Sequence, residues 1–123
     1  MNFQDFMQWL KGMKKVERNV PYNDIQGILS ELPRDSSIKM HYTEGQKDDD
    51  LTLNPGYIQE NFLRRFKQSD RMYIHAVHTT SVRRGEENHE IVLEQGASIP
   101  KRDGSFQESS PFRRMSLRYK VRR

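Results

Sequence analysis

From Met115 onward the chain alternates strictly: Met115, Leu117, Tyr119 and Val121 are apolar or aromatic, and Ser116, Arg118, Lys120 and Arg122 stand between them. A two-residue period fits a strand that buries one face and aims a row of cations from the other. The last eleven residues, 113 to 123, carry six Arg or Lys and no acid. A basic stripe on a sheet is a docking surface for phosphate or for an acidic partner.

The rest of the chain supplies the elements around that strand. Phe3, Phe6, Met7, Leu10, Met13 and Val16 recur at helical spacing, which predicts an amphipathic helix over residues 2 to 17 with the Phe3, Phe6, Leu10 and Met13 face buried. A second helix is expected at about 23 to 32, carrying Ile25, Ile28, Leu29 and Leu32 and stopped by Pro33. Ile38, Met40 and Tyr42 then alternate as a strand does, Glu44 to Asp50 reads as an acidic loop, and Leu51 and Leu53 suggest a brief return strand. Tyr57, Ile58, Phe62, Leu63 and Phe66 predict a third helix from Pro55 to about Gln68. Met72 to Val82, His89 to Ile99 and Phe112 to Arg122 are expected to pair as long antiparallel strands, joined by turns at residues 83 to 88 and at Asp103-Gly104. The fold class is therefore α+β: two N-terminal helices, a third helix, and a curved antiparallel sheet of four to five strands. Residues 1 to 123 read as one domain, about the usual size for one.

Composition narrows the function classes. The net charge of +4 is unevenly distributed, with a balance of −3 over residues 1 to 60 and +7 over 61 to 123. There is no cysteine, which excludes disulfides, thiolate zinc sites and a cysteine nucleophile. No apolar run approaches the ~18 residues that span a bilayer, and Met1 to Phe6 has no basic stretch followed by an apolar one, so the expected setting is soluble and intracellular, cytoplasmic or, in a eukaryote, nuclear.

His75 and His78 are the closest approach to a ligand pair. On a strand their three-residue spacing puts them on opposite faces, so they cannot chelate one metal; one is expected in the sheet interior or lining a pocket and the other at the surface. Asp48-Asp49-Asp50 lacks the spaced donors of a calcium loop. The glycines build no phosphate-cradling loop, and no serine sits in a nucleophile elbow. No metal or cofactor is expected, and the protein reads as no enzyme. The residues singled out for nucleic-acid or acidic-partner binding are Arg83, Arg84, Arg113, Arg114, Arg118, Lys120, Arg122 and Arg123, with Lys101 and Arg102 joining if the strands form a meander. Tyr73 and Tyr119 are the aromatics nearest that stripe, although Tyr119 falls on its apolar side.

The order helix, helix, strand, short strand, helix and three long strands resembles the nuclear transport factor 2-like superfamily. So do Gly96 and Asp103-Gly104 followed by Phe106 and Phe112 between the last two strands. The resemblance runs from Phe3 to Val121; many members continue past the strand that stands last here. It implies a curved sheet wrapped against helices, and either an open sheet that dimerises or a conical pocket that binds ligand. Members include adaptors and enzymes, so function has to be argued from the site.

The leading expectation is a non-catalytic regulatory protein whose basic C-terminal sheet surface contacts RNA or DNA. The alternative is a dimeric adaptor of that superfamily that binds protein without nucleic acid, and the third is a small-molecule pocket enzyme using His75 or His78 as acid or base. A homodimer is expected in either binding role, because three helices cannot cover a whole sheet, and no membrane contact is expected.

Overall fold

The computed structural model describes residues 2–4 and 13–122. In chain order its elements are β1 (Met13–Asn19), α1 (Tyr22–Ser30), β2 (Ile38–Glu44), β3 (Lys47–Leu53), α2 (Pro55–Asn61), a 3₁₀ turn (Leu63–Arg65), β4 (Met72–Arg83), β5 (Glu86–Pro100), β6 (Phe106–Glu108) and β7 (Arg113–Arg122). The described residues are thus α+β, with two helices and a sheet of seven antiparallel strands.

The main sheet runs β1-β4-β5-β7-β2-β3, and β6 pairs with the far end of β5. Strand β7 lies between β5 and β2, so the alternation at its centre faces a packed layer on one side. Met115 and Leu117 are fully buried there with Ile38, Met40 and Tyr42 of β2 and Ile91 and Leu93 of β5. Ile25 and Leu29 of α1, Ile58 of α2 and the segment Phe62, Leu63 and Phe66 complete that core. Both helices therefore cover the same face. On the other one Arg114, Arg118 and Lys120 of β7 stand exposed.

The architecture departs from the expected three helices and four to five strands at identifiable points. The helix expected over 2 to 17 does not extend through its C-terminal part: Met13–Asn19 is strand β1, paired with β4 from Met13↔Arg83 to Asn19↔Val77. A vacant ladder edge on twelve-residue β4 outweighs local helical periodicity, since context routinely overrides propensity. Phe3 is 76% exposed rather than buried, and Phe6 and Leu10 lie outside the described residues. The third helix stops at Asn61. Phe62 leaves helical geometry (φ −122°), and the Tyr22 hydroxyl lies 3.0 and 2.9 Å from the carbonyl oxygens of Leu63 and Phe66, holding them away from a helical ladder.

Two turns are tighter than expected. Gly45 takes φ +59°, so the chain reverses at once, and the three aspartates read as a loop lie in edge strand β3. Arg84 and Gly85 have φ +53° and +77°, the pair of left-handed residues that a two-residue hairpin turn requires. Arg83 consequently pairs with Glu86, and β5 starts three residues before His89. Beyond Ala97, residues 98–108 form a projecting hairpin arm, in which Ile99 and Phe106 are exposed at 48% and 63%.

Candidate nucleic-acid interface

Alternation along β7 places Arg114, Ser116, Arg118, Lys120 and Arg122 on the open face, as expected from the sequence. Each neighbouring residue on β5 is set by the antiparallel register. Glu94 lies opposite Arg114 and Glu90 opposite Arg118, with contacts of 3.4 and 2.9 Å, and Lys120 reaches Glu86 at 3.7 Å. The stripe is thus a ladder of ion pairs rather than a bare row of cations. These pairs are solvent-exposed, with Arg118 and Lys120 side chains 70% and 67% accessible. Exposed pairs contribute about 0–1 kcal/mol each, so an incoming phosphate can replace a carboxylate at little cost.

Arg113 belongs to a different environment. Its odd number puts it on the core face, where Nε donates to Glu44 Oε1 at 2.7 Å and to the Tyr42 hydroxyl at 3.1 Å, and Nη1 donates to Gln95 Oε1 at 2.5 Å. The guanidinium also lies over the Phe66 and Phe112 rings. Only 17% of its side chain is accessible. The hydrogen bond from Tyr42, followed by that from Arg113, holds the Glu44 carboxyl below the usual carboxylate range. Arg113 therefore closes the core and leaves the docking surface to the residues after it.

The remaining expected cations separate into two groups. Arg83 and Arg84 at the β4–β5 turn and Arg122 at the end of β7 are all exposed and gather at one end of the sheet around Glu86, which pairs with both Arg83 and Arg122 in the ladder. Arg123 lies outside the described residues. Lys101 and Arg102 sit in the turn of the arm, past the other end of β5. Fifteen residues of extended strand separate the two groups by roughly 45 Å, so Lys101 and Arg102 do not join the patch.

Between these features the open face forms a groove of about 640 Å³. Lys39, Arg118 and Lys120 line it with a single carboxylate, Glu90, with Ser37, Thr79, Ser81 and Asn88, and with His89 and Tyr119. The register explains the convergence: Thr79, Glu90, Arg118 and Lys39 form one cross-strand row, and Ser81, Asn88 and Lys120 the next. Lys39 has no ion pair among the described residues. Sequence reasoning missed Lys39 because it lies 79 positions before its neighbour Arg118; only the β2–β7 pairing brings it alongside.

The aromatics near the stripe are committed elsewhere. Tyr119 is 6% exposed and stacks on His89 at 4.8 Å with a 2° interplanar angle, and burial pushes its hydroxyl up to about 12. Tyr73 lies against Gly96 and donates to the Ser109 carbonyl at 2.7 Å. The Tyr119 ring is thus held against His89, and the Tyr73 hydroxyl is committed to the Ser109 backbone.

His75 and His78 do fall on opposite faces. His75 is exposed and meets Glu108 of β6 at 2.5 Å, tying the arm to β4. His78 is buried in a relay that spacing alone does not reveal: Glu87 Oε1 lies 2.9 Å from His89 Nε2, and His89 Nδ1 lies 2.9 Å from His78 Nε2. A Glu87 carboxylate accepting from His89 makes His89 Nδ1 the acceptor for His78, which leaves His78 Nδ1 as a buried lone pair with no partner among the described residues. Burial, then the neighbouring His89 and Arg18, lowers the His78 pKa. Among the described residues no three His, Asp or Glu side chains are grouped to hold a metal ion, and no helix is long and apolar enough to cross a membrane.

Compared with protein-family models, with curated proteins and with solved structures, the chain matches none.

Proposed function

We propose that the protein is a non-catalytic regulatory protein that binds single-stranded nucleic acid on the open face of its sheet. The observation that carries this reading is the groove, where Lys39 adds a cation to the exposed Arg118–Glu90 and Lys120–Glu86 pairs on a surface that the helices leave uncovered. A cavity of roughly 300–1,000 Å³ suits a small ligand or a short stretch of chain rather than a duplex. The exposed Arg83, Arg84 and Arg122 extend the cationic path past the end of the groove. With Tyr73 and Tyr119 occupied, affinity comes from phosphate contact, and it is insensitive to base sequence.

Titration of a labelled single-stranded pool at several salt concentrations tests the reading. Three phosphate contacts should give a slope of log affinity on log salt near about −2. Replacing Lys39, Arg118 and Lys120 by Glu should remove binding while leaving the thermal melt intact. Retention of full affinity by that variant, or no retention by the unmodified protein at low salt, sinks the reading.

The arm favours a second reading, a dimeric adaptor with the conical architecture of the nuclear transport factor 2-like superfamily. Ile99 and Phe106 are large apolar groups held out on a two-strand projection, and such groups mark protein contacts when they are clustered. Sedimentation at micromolar concentration should then give a dimer that Phe106→Asp dissociates. A monomer of 14.7 kDa at all concentrations removes this second reading.

A further inference from the structure

We infer that the groove distinguishes RNA from DNA by hydrogen bonding a ribose 2′-hydroxyl through Ser81 and Asn88. The inference rests on the reading that the groove takes single-stranded nucleic acid. Ser81 and Asn88 are directly paired across β4 and β5, and Asn88 is paired in turn with Lys120 of β7. One row thus presents a hydroxyl, an amide and an ammonium in sequence across about 10 Å of sheet, at two interstrand spacings.

The two neutral side chains are half-buried in the groove wall and make no side-chain hydrogen bond among the described residues. Thr79, in the neighbouring row, is in the same condition. Set in the groove wall and not committed to other side chains, these groups are in place to bond a ligand that enters the groove. Serine and asparagine each donate and accept, which suits a hydroxyl, itself a donor and an acceptor. Phosphate, having only acceptors, is served by Lys39, Arg118 and Lys120. A site with both sets matches a sugar–phosphate chain bearing a free hydroxyl, and the 2′-hydroxyl is what separates RNA from DNA at such a site. This discrimination reads the sugar of the backbone and not the bases.

Fluorescence anisotropy with labelled oligonucleotides of about 12 nucleotides tests the inference, using RNA, DNA and 2′-O-methyl RNA of one sequence. The unmodified protein should bind RNA roughly tenfold more tightly than DNA, the effect of one or two hydrogen bonds, with 2′-O-methyl RNA at the DNA level. Ser81→Ala with Asn88→Ala should abolish the preference for RNA over DNA while the salt slope stays unchanged. Equal affinity for RNA and DNA overturns the inference and leaves nucleic-acid binding standing. No binding of any oligonucleotide overturns both. If the double variant fails to fold, the 2′-O-methyl probe on the unmodified protein still decides: binding as tight as RNA overturns the role of the hydroxyl.

Discussion

Arg113 and Arg118 lie five residues apart on one strand, and the parity of their positions gives them opposite roles. Removing Arg113 leaves the fully buried Gln95 amide oxygen without that donor and the Glu44 carboxylate with only the Tyr42 hydroxyl. Arg113→Ala should therefore cost about 3 kcal/mol in a denaturant melt. Arg118→Ala breaks only an exposed pair and should stay within about 0.5 kcal/mol. His78 supplies a pH dependence of definite sign. Above its ordinary pKa of 6.5 it is neutral in folded and unfolded chains alike. Below 6.5 the unfolded chain takes up a proton that the buried imidazole resists, so stability falls with pH until the lowered folded-state value is reached and then levels off. Stability measured against pH should show this step, and His78→Gln should flatten it. Glu44, whose folded pKa is lowered, gives a separate loss below 4.5.

At the scale of elements, Gly96 carries more than its size suggests. A Cβ at this position would come within 2.5 Å of the Tyr73 hydroxyl oxygen. Gly96→Ala should displace the Tyr73 ring, break its bond to the Ser109 carbonyl and cost about 1–3 kcal/mol. Amide exchange should speed up selectively in the arm, residues 98–108. Unchanged protection there would mean that the ring does not anchor the arm. Elements with a dominant local period were legible in the sequence: β2, α1 and β7 lie within two residues of their expected limits, because each buries a regular stripe. Strand β1 was not legible, since what makes Met13–Asn19 a strand is the free edge of β4, whose partner residues lie 58 to 70 positions later. The full length of β3 was hidden by its aspartates, which are poor strand formers tolerated at an edge. The cationic surface was legible as a stripe through parity. The same parity excludes Arg113 from it, while Lys39 and the carboxylate ladder of β5 enter only through pairing of strands distant in sequence.

At the scale of the molecule, the hairpins β2–β3 and β4–β5 are joined into one sheet by pairings distant in sequence, with β1 meeting β4 and β2 meeting β7 from Lys39↔Arg118 to Glu44↔Arg113. Such a topology predicts refolding in about milliseconds to seconds rather than microseconds, measurable by stopped-flow fluorescence of the native tyrosines. A microsecond phase accounting for the whole amplitude would contradict the topology. The position of β7 has a further consequence for how the protein is made. Synthesis runs from the N-terminus, and β7 emerges after every other described strand although it occupies the sheet's interior. Until it arrives, β5 and β2 present two facing unpaired ladders with Ile91, Leu93, Met40 and Tyr42 beside them. The nascent chain therefore stays open at its centre until the strand that carries the cations also joins its two halves.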